Sequence, residues 1–293
     1  MKPLDTGAAV MAAFVWGLTF IAIKLGVQQA PPFLMTGLRF AAAAVPLVFF
    51  LAPPAAPARL VLAYGALIGF GQFGLLFLAI RQGMPAGLAS LVVQAQVFFT
   101  LGFAALVFGE RPTPAQLAGA AISFLGMILI GASRLQHAGL SPFLLTLGAA
   151  VCWAAGNIVG KRMGRVDPLA LMGWSSLVAP LPMLALSLAL EPRATLAALN
   201  PPSLTLIGCV LFLAYGGTLF SYSLWARLLA RYPASLVSPF ALLVPIVGMA
   251  AAAIWFGEVV APREWLGAAI VMAGLALTIF GARLGGALRR RPA

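Results

Sequence analysis

Apolar runs of about 20 residues, separated by short proline-rich or charged breaks, follow one another through almost the whole chain. A run of that length is what an α-helix needs to cross a bilayer, because lipid offers no partner for a free backbone N–H or C=O. The rest of the composition agrees. Of 293 residues, 62% are hydrophobic and 8% charged, where a water-soluble domain carries about 25% charged residues. So few charges cannot clothe a water-facing surface of this size, which excludes a soluble enzyme, a nucleic-acid-binding domain and a disordered protein.

The breaks carry the expected punctuation: Pro31–Pro32, Pro53–Pro54, Pro112 with Pro114, and Pro201–Pro202. They predict an all-α integral membrane protein with ten transmembrane helices near 5–25, 33–52, 60–80, 85–108, 114–132, 142–161, 168–190, 203–226, 233–256 and 263–283. The first run is too long for a cleaved signal segment and is bracketed by Asp5 and Lys24, so it reads as a retained helix.

The net charge of +12 has a membrane explanation. If the N-terminus is cytoplasmic, twelve basic residues fall on that side, among them Arg289, Arg290 and Arg291 of the tail. Five fall on the other: Lys24, Arg81, Arg134, Arg193 and Arg263. Basic loops stay cytoplasmic, so both termini are expected inside a bacterial inner membrane. Lipid is then the partner of this charge, and nucleic acid is not. Cys152 and Cys209 lie in apolar runs and read as packing residues. With one histidine, His137, and no CxxC pair, no metal or other cofactor is expected.

The chain also repeats itself. Trp16 and Lys24 are spaced as Trp153 and Lys161 are; LAYG occurs at 62–65 and 213–216; FGE occurs at 108–110 and 256–258. At the FGE spacing Pro85 matches Pro233, Ser90 matches Ser238, Gly119 matches Gly267 and Gly126 matches Gly274. The expected division is 1–137 and 138–293, five helices each, the second ending in a basic tail. Five is odd, so the second copy would enter the membrane from the opposite side, as in carriers that alternate access around a midplane site.

The segments WGLTFIAIKLG (16–26), GLRF (37–40) and GMPAGLASLVVQAQVFFTLGFAALVFGERPTPAQLAGAAI (83–122) resemble the drug/metabolite transporter superfamily, and within it the EamA-domain exporters. The last segment is similar to bacterial exporters of O-acetylserine and cysteine. The resemblance runs through both halves. It implies ten helices in two inverted bundles, a central substrate cavity, and export of amino acids or related metabolites.

Candidate site residues follow from polarity placed inside apolar helices. Trp16, Phe20 and Lys24 recur at i, i+4, i+8, and so do Trp153, Asn157 and Lys161, giving two matched helix faces. The aromatics suit an apolar side chain, and the ammonium groups suit a substrate carboxylate; snorkelling to the headgroups is the alternative for the lysines. Thr19 belongs to the same first helix. Arg39 lies inside the second helix, where a charge is costly unless paired or hydrated, and either binds a carboxylate or braces the bundle. Gln72, Gln94 and Gln96 are intramembrane amides, with interhelical bonding as their other reading. Tyr64 and Tyr215, each followed by a glycine in LAYG, either reach a cavity or brace neighbouring helices. Tyr222, seven residues after Tyr215, is expected on the same face, with Trp174 in a neighbouring helix. Pro180, Pro182, Pro239 and Pro245 are expected to kink their helices.

All six acidic residues fall near helix ends or in loops. That disfavours a proton relay and a cationic-drug site, both of which need a buried carboxylate. The reading is a facilitative exporter of amino acids or close metabolites. The alternatives are a same-fold exporter of another metabolite or drug, proton-coupled or not, and a membrane-embedded enzyme; the last lacks any convergent nucleophile, base or metal set. One chain carries both repeats, so a monomer suffices.

Overall fold

The computed structural model describes residues 1–137, 140–232 and 237–288. Pro233 and the tail arginines Arg289–Arg291 therefore lie outside the described residues. Ten helices are long and apolar enough to span a bilayer: α1 (Pro3–Gln29), α2 (Pro32–Phe50), α3 (Ala58–Arg81), α4 (Ala86–Phe108), α5 (Pro114–Ser133), α6 (Ser141–Arg162), α7 (Pro168–Leu190), α8 (Leu204–Leu229), α9 (Pro239–Phe256) and α10 (Pro262–Gly281). The proline-marked breaks thus fall where expected, proline being tolerated at a helix's first turn because its missing N–H would be unpaired there anyway. A short helix over Pro192–Leu199, not expected from the sequence, follows α7. It is tied back by Thr195 Oγ1, 2.7 Å from Ser187 Oγ.

Among the described residues, two pairs of helices are irregular in matched places. α3 widens into a π-helix over Ala66–Gln72, just after the first LAYG, and α8 does so over Phe212–Phe220, around the second. α4 tightens to a 3₁₀ turn at Val93–Ala95 and α9 at Ser238–Leu242, a segment that contains Pro239 and precedes Pro245. α7 is interrupted at 177–179, immediately before Pro180. α2 contains Pro46 within its helix, a proline the sequence reading passed over.

The principal pairings are α1 with α8 and α9, α6 with α3 and α4, α2 with α7, α5 with α10, and the first half of α4 with α9. Renumbering every helix by five leaves those helix pairs unchanged. Membrane helices associate by close packing rather than by the hydrophobic effect, so small residues belong at their contacts. The α5–α10 contact has them. A Cβ on Gly119 would stand 2.6 Å from the carbonyl of Gly274, and one on Gly126 would stand 2.6 Å from the carbonyl of Gly267. The partner numbers fall as the α5 numbers rise, so the two helices run antiparallel. Ser123 Oγ donates to the carbonyl of Val271 across the same contact. The main apolar core joins α1, the first half of α4 and α6 through residues such as Ile23, Leu88, Leu91 and Ala150.

Candidate functional site

Arg39 is the centre of the site. It is 4% exposed, one face of its guanidinium lies 3.9 Å from the centroid of Phe73, and the Phe40 ring is 5.1 Å away. Its Nη2 donates to Thr218 Oγ1 at 3.2 Å. Among the described residues, Nε and Nη1 find no acceptor, and the buried Gln72 Oε1 accepts from no donor. The six carboxylates are all elsewhere, at or beyond helix ends: Asp5, Glu110, Asp167, Glu191, Glu258 and Glu264. Cation–π stabilisation of a desolvated guanidinium reaches about 2 kcal/mol, well short of what a buried unpaired charge costs. The arrangement is therefore suited to an anionic group brought from outside.

The π-helix of α8 supplies the other wall. Its wide turns let Thr218 Oγ1 donate to the carbonyl of Leu213 and Ser221 Oγ to that of Gly216, each five residues back. They also change the register. Tyr215 is 43% exposed on the outward stripe with Ile207 and Leu211, whereas Tyr222 turns inward against Trp16, ring centroids 5.1 Å apart. The expectation that Tyr215 and Tyr222 share a face is thus corrected: seven residues are two α-helical turns but not two turns of a π-helix. Through Phe73 and Thr218, Arg39 joins α2, α3 and α8 in one cluster, while Tyr64 of α3 lies beside Gly160 of α6. Trp16 is held by its indole N–H, which donates to the carbonyl of Gly217, and it packs against Trp225 as well. Thr19 is buried and donates to the carbonyl of Trp16.

The second matched face is built differently. Asn157 Nδ2 donates to Gln96 Oε1 at 2.9 Å and to Thr100 Oγ1 at 3.1 Å, which ties α6 to α4. Phe20, its counterpart in α1, is buried in the main core. Trp153 is half-buried against that core, Gln94 is buried in the 3₁₀ turn, and Trp174 donates to the carbonyl of Leu51 at the end of α2.

The two lysines have protein partners. Lys24 Nζ is 2.6 Å from Glu258 Oε1 and 4.2 Å from the centre of the Phe256 ring. Lys161 pairs with Glu110 and lies 5.0 Å from the centre of the Phe108 ring. Each lysine thus takes the phenylalanine and the glutamate of the FGE motif in the other half of the chain. Gly109 and Gly257 make this possible. Both end their helices in the left-handed conformation, at φ 65° and 60°, which turns the following glutamate back toward the helix end. Sequence reasoning put these glutamates at interfaces but did not pair them with the lysines. It also missed Phe73, Thr218 and Trp225, which carry no motif. The repeated FGE and the repeated Trp-to-Lys spacing were the available signals for the ion pairs.

Two cavities lie away from Arg39. One of about 330 Å³ sits at the Lys24 end beside Gln28, Gln29, Arg81 and Glu191. The other, about 550 Å³, is an apolar groove between α1, α8 and α9 beside Phe14, Phe212 and Trp255.

Ten membrane-spanning helices packed around a buried arginine and a set of aromatic rings define a multi-pass membrane protein. The chain belongs to the EamA-like transporter family, whose profile matches it twice, over residues 7–132 and 140–280. It is 44% identical over 291 residues to a probable amino-acid metabolite efflux pump of Salmonella typhimurium, covering 97% of each chain. It is 42% identical to the protein of the same description from Escherichia coli, again over 97% of each. The uncharacterized inner membrane transporter YedA of E. coli is 27% identical over 94% of this chain and 90% of its own. A solved structure superposes with a TM-score of 0.65 at 20% identity, covering 97% of this chain and 99% of that one, and shows the fold alone. The chain is a multi-pass membrane protein of a transporter family.

Proposed function

We propose that this protein exports zwitterionic amino acids or closely related metabolites across a bacterial inner membrane, by alternating access and without ion coupling. The observation that carries the reading is Arg39, buried with Nε and Nη1 unpaired and with no carboxylate beside it. A substrate carboxylate supplies the missing acceptor. The rings of Trp16, Tyr222 and Trp225 offer an apolar and π-rich surface to the rest of the molecule. The descriptions of the two relatives above 40% identity support the same substrate class.

Alternating access is supported by the helix pairs, unchanged when renumbered by five, by the antiparallel α5–α10 contact, and by the twofold match of the family profile. In this reading residues 1–137 and 138–293 are inverted halves that rock about the Arg39 cluster, and one chain is a complete carrier. Both termini are cytoplasmic in this reading, which the distribution of basic residues supports. The placing of all six carboxylates at helix ends supports a facilitative carrier and offers no machinery for catalysis.

Counterflow in proteoliposomes tests the reading. Vesicles loaded with unlabelled substrate are offered labelled cysteine, O-acetylserine, threonine, methionine, aromatic amino acids and one cationic drug, with and without a pH gradient. Saturable amino-acid exchange that ignores the gradient is expected. Drug movement alone, or exchange that requires the gradient, overturns it.

A further inference from the structure

The two Lys–Glu pairs have the same chemistry but differ in their surroundings. At the Lys24 end the pair is enclosed, the side chains of Lys24 and Glu258 being 24% and 8% exposed. Glu258 also caps α4: Oε1 accepts from the backbone N–H of Ala86 at 3.0 Å and Oε2 from that of Gly87 at 3.2 Å. One carboxylate thus joins three helices, the end of α9 that carries it, Lys24 of α1 and the first turn of α4. Beneath it α4 and α9 are in close contact, with Gly87 against Met249 and Ser90 against Gly248. All residues from Ala86 to Ala95 are buried.

At the Lys161 end the pair is loose. Lys161 and Glu110 are 50% and 48% exposed, and Phe108 is 37% exposed. From Gln96 to Phe108 only Phe98 and Ala104 are buried. This half of α4 packs on α6. The sequence repeat predicts equal ends. The tertiary structure shields one ion pair and leaves the other exposed to water.

We propose that Lys24–Glu258 and Lys161–Glu110 are reciprocal latches of the transport cycle, one drawn into a three-helix junction when the other is released to water. The structure is the state shut at the Lys24 end. The inference rests on the alternating-access reading and adds to it the residues that hold each end. The FGE motif has one purpose in both halves: the phenylalanine and the glutamate clasp the lysine of the other half, and the left-handed glycine turns the glutamate toward it. With cytoplasmic termini, Lys24–Glu258 is the outer latch and Lys161–Glu110 the inner one. Breaking a shielded pair releases more stabilisation than breaking an exposed one, because water already screens the latter. Glu258→Gln and Glu110→Gln should therefore shift the conformational balance in opposite directions.

The test is a pair of spin-label distances in the full-length protein in nanodiscs, with Cys152 and Cys209 replaced by alanine. Labels at Gln28 and Val259 report the Lys24 end, and labels at Arg111 and Arg162 the Lys161 end; all four positions are exposed. Glu258→Gln is expected to lengthen the first distance and shorten the second. Glu110→Gln is expected to leave the first short and to deplete any population in which the second is short. Lys24→Gln keeps the Glu258 cap on α4 and loses only the ion pair, so it should shift the distances as Glu258→Gln does, by less; it carries the test if Glu258→Gln does not fold. Distributions unchanged by Glu258→Gln and Lys24→Gln, or shifts of the same sense from Glu258→Gln and Glu110→Gln, overturn the proposal. No substrate is added, so a failure of amino-acid exchange would count against the substrate assignment and leave these distances to judge the latches.

Discussion

The indole nitrogen of Trp16 donates a hydrogen bond to the carbonyl oxygen of Gly217, 2.9 Å away and 201 residues further along the chain. Gly217 lies inside the π-helix of α8, where wide turns leave carbonyls free to accept from side chains. One bond therefore couples α1 of the first half to the irregular part of α8 in the second. Trp16→Phe keeps a ring against Tyr222 and Trp225 but removes the donor. Interhelical bonds in membranes are worth about 0.6–2 kcal/mol, so a thermal or denaturant unfolding curve in detergent should show a loss of that order. The substrate KM in counterflow should rise as the aromatic wall loosens.

Arg39 should behave in the opposite way with respect to stability. Its charge is buried with Nε and Nη1 unpaired, and replacing a buried uncompensated charge by a neutral group is neutral or stabilising. Arg39→Gln is expected to give protein that elutes and unfolds like wild type or better. Its amino-acid counterflow should be at least about tenfold weaker, since a charge-assisted hydrogen bond is worth about 1.5–3 kcal/mol. Unfolding and exchange measured on the same preparation decide the matter. Wild-type flux would remove Arg39 from the substrate site.

Asn157 is the sharpest test of structure against binding. It donates to both Gln96 and Thr100 across the α4–α6 contact. If bracing is its role, Asn157→Leu should cost about 1–2 kcal/mol of stability, within the range of membrane hydrogen bonds, while KM stays unchanged. A double-mutant cycle with Gln96→Leu should return a coupling energy of about 0.5 kcal/mol or more. A large KM effect with no coupling would make Asn157 a substrate contact.

The α5–α10 contact predicts an intolerance of one methyl group. A Cβ at Gly126 stands 2.6 Å from the backbone carbonyl of Gly267, which cannot rotate aside as a side chain would, whereas one at Gly7 meets nothing within 4 Å. Gly126→Ala should destabilise by about 1–3 kcal/mol, the usual cost of overpacking. Gly7→Ala, at an exposed position in α1, should be neutral by the same unfolding measurement.

The sequence alone determined the membrane as solvent, the ten spans and the repetition. Hydrophobic length and the cost of an unpaired backbone group in lipid leave no other solution, and both can be read residue by residue. Arg39 was visible as a candidate site residue for the same reason, since a charge inside an apolar run is anomalous wherever its side chain points. What surrounds it was decided only by tertiary structure. Phe73, Thr218 and Trp225 are ordinary residues until α2, α3 and α8 converge, and Tyr215 parts company with Tyr222 because a π-helix takes up residues that an α-helical period does not count. Lys24 and Lys161 were legible as cations near helix ends. That each is clasped by a glutamate of the opposite half, one shielded and one in water, depends on contacts more than 50 residues apart in the chain. A local pattern specifies neither.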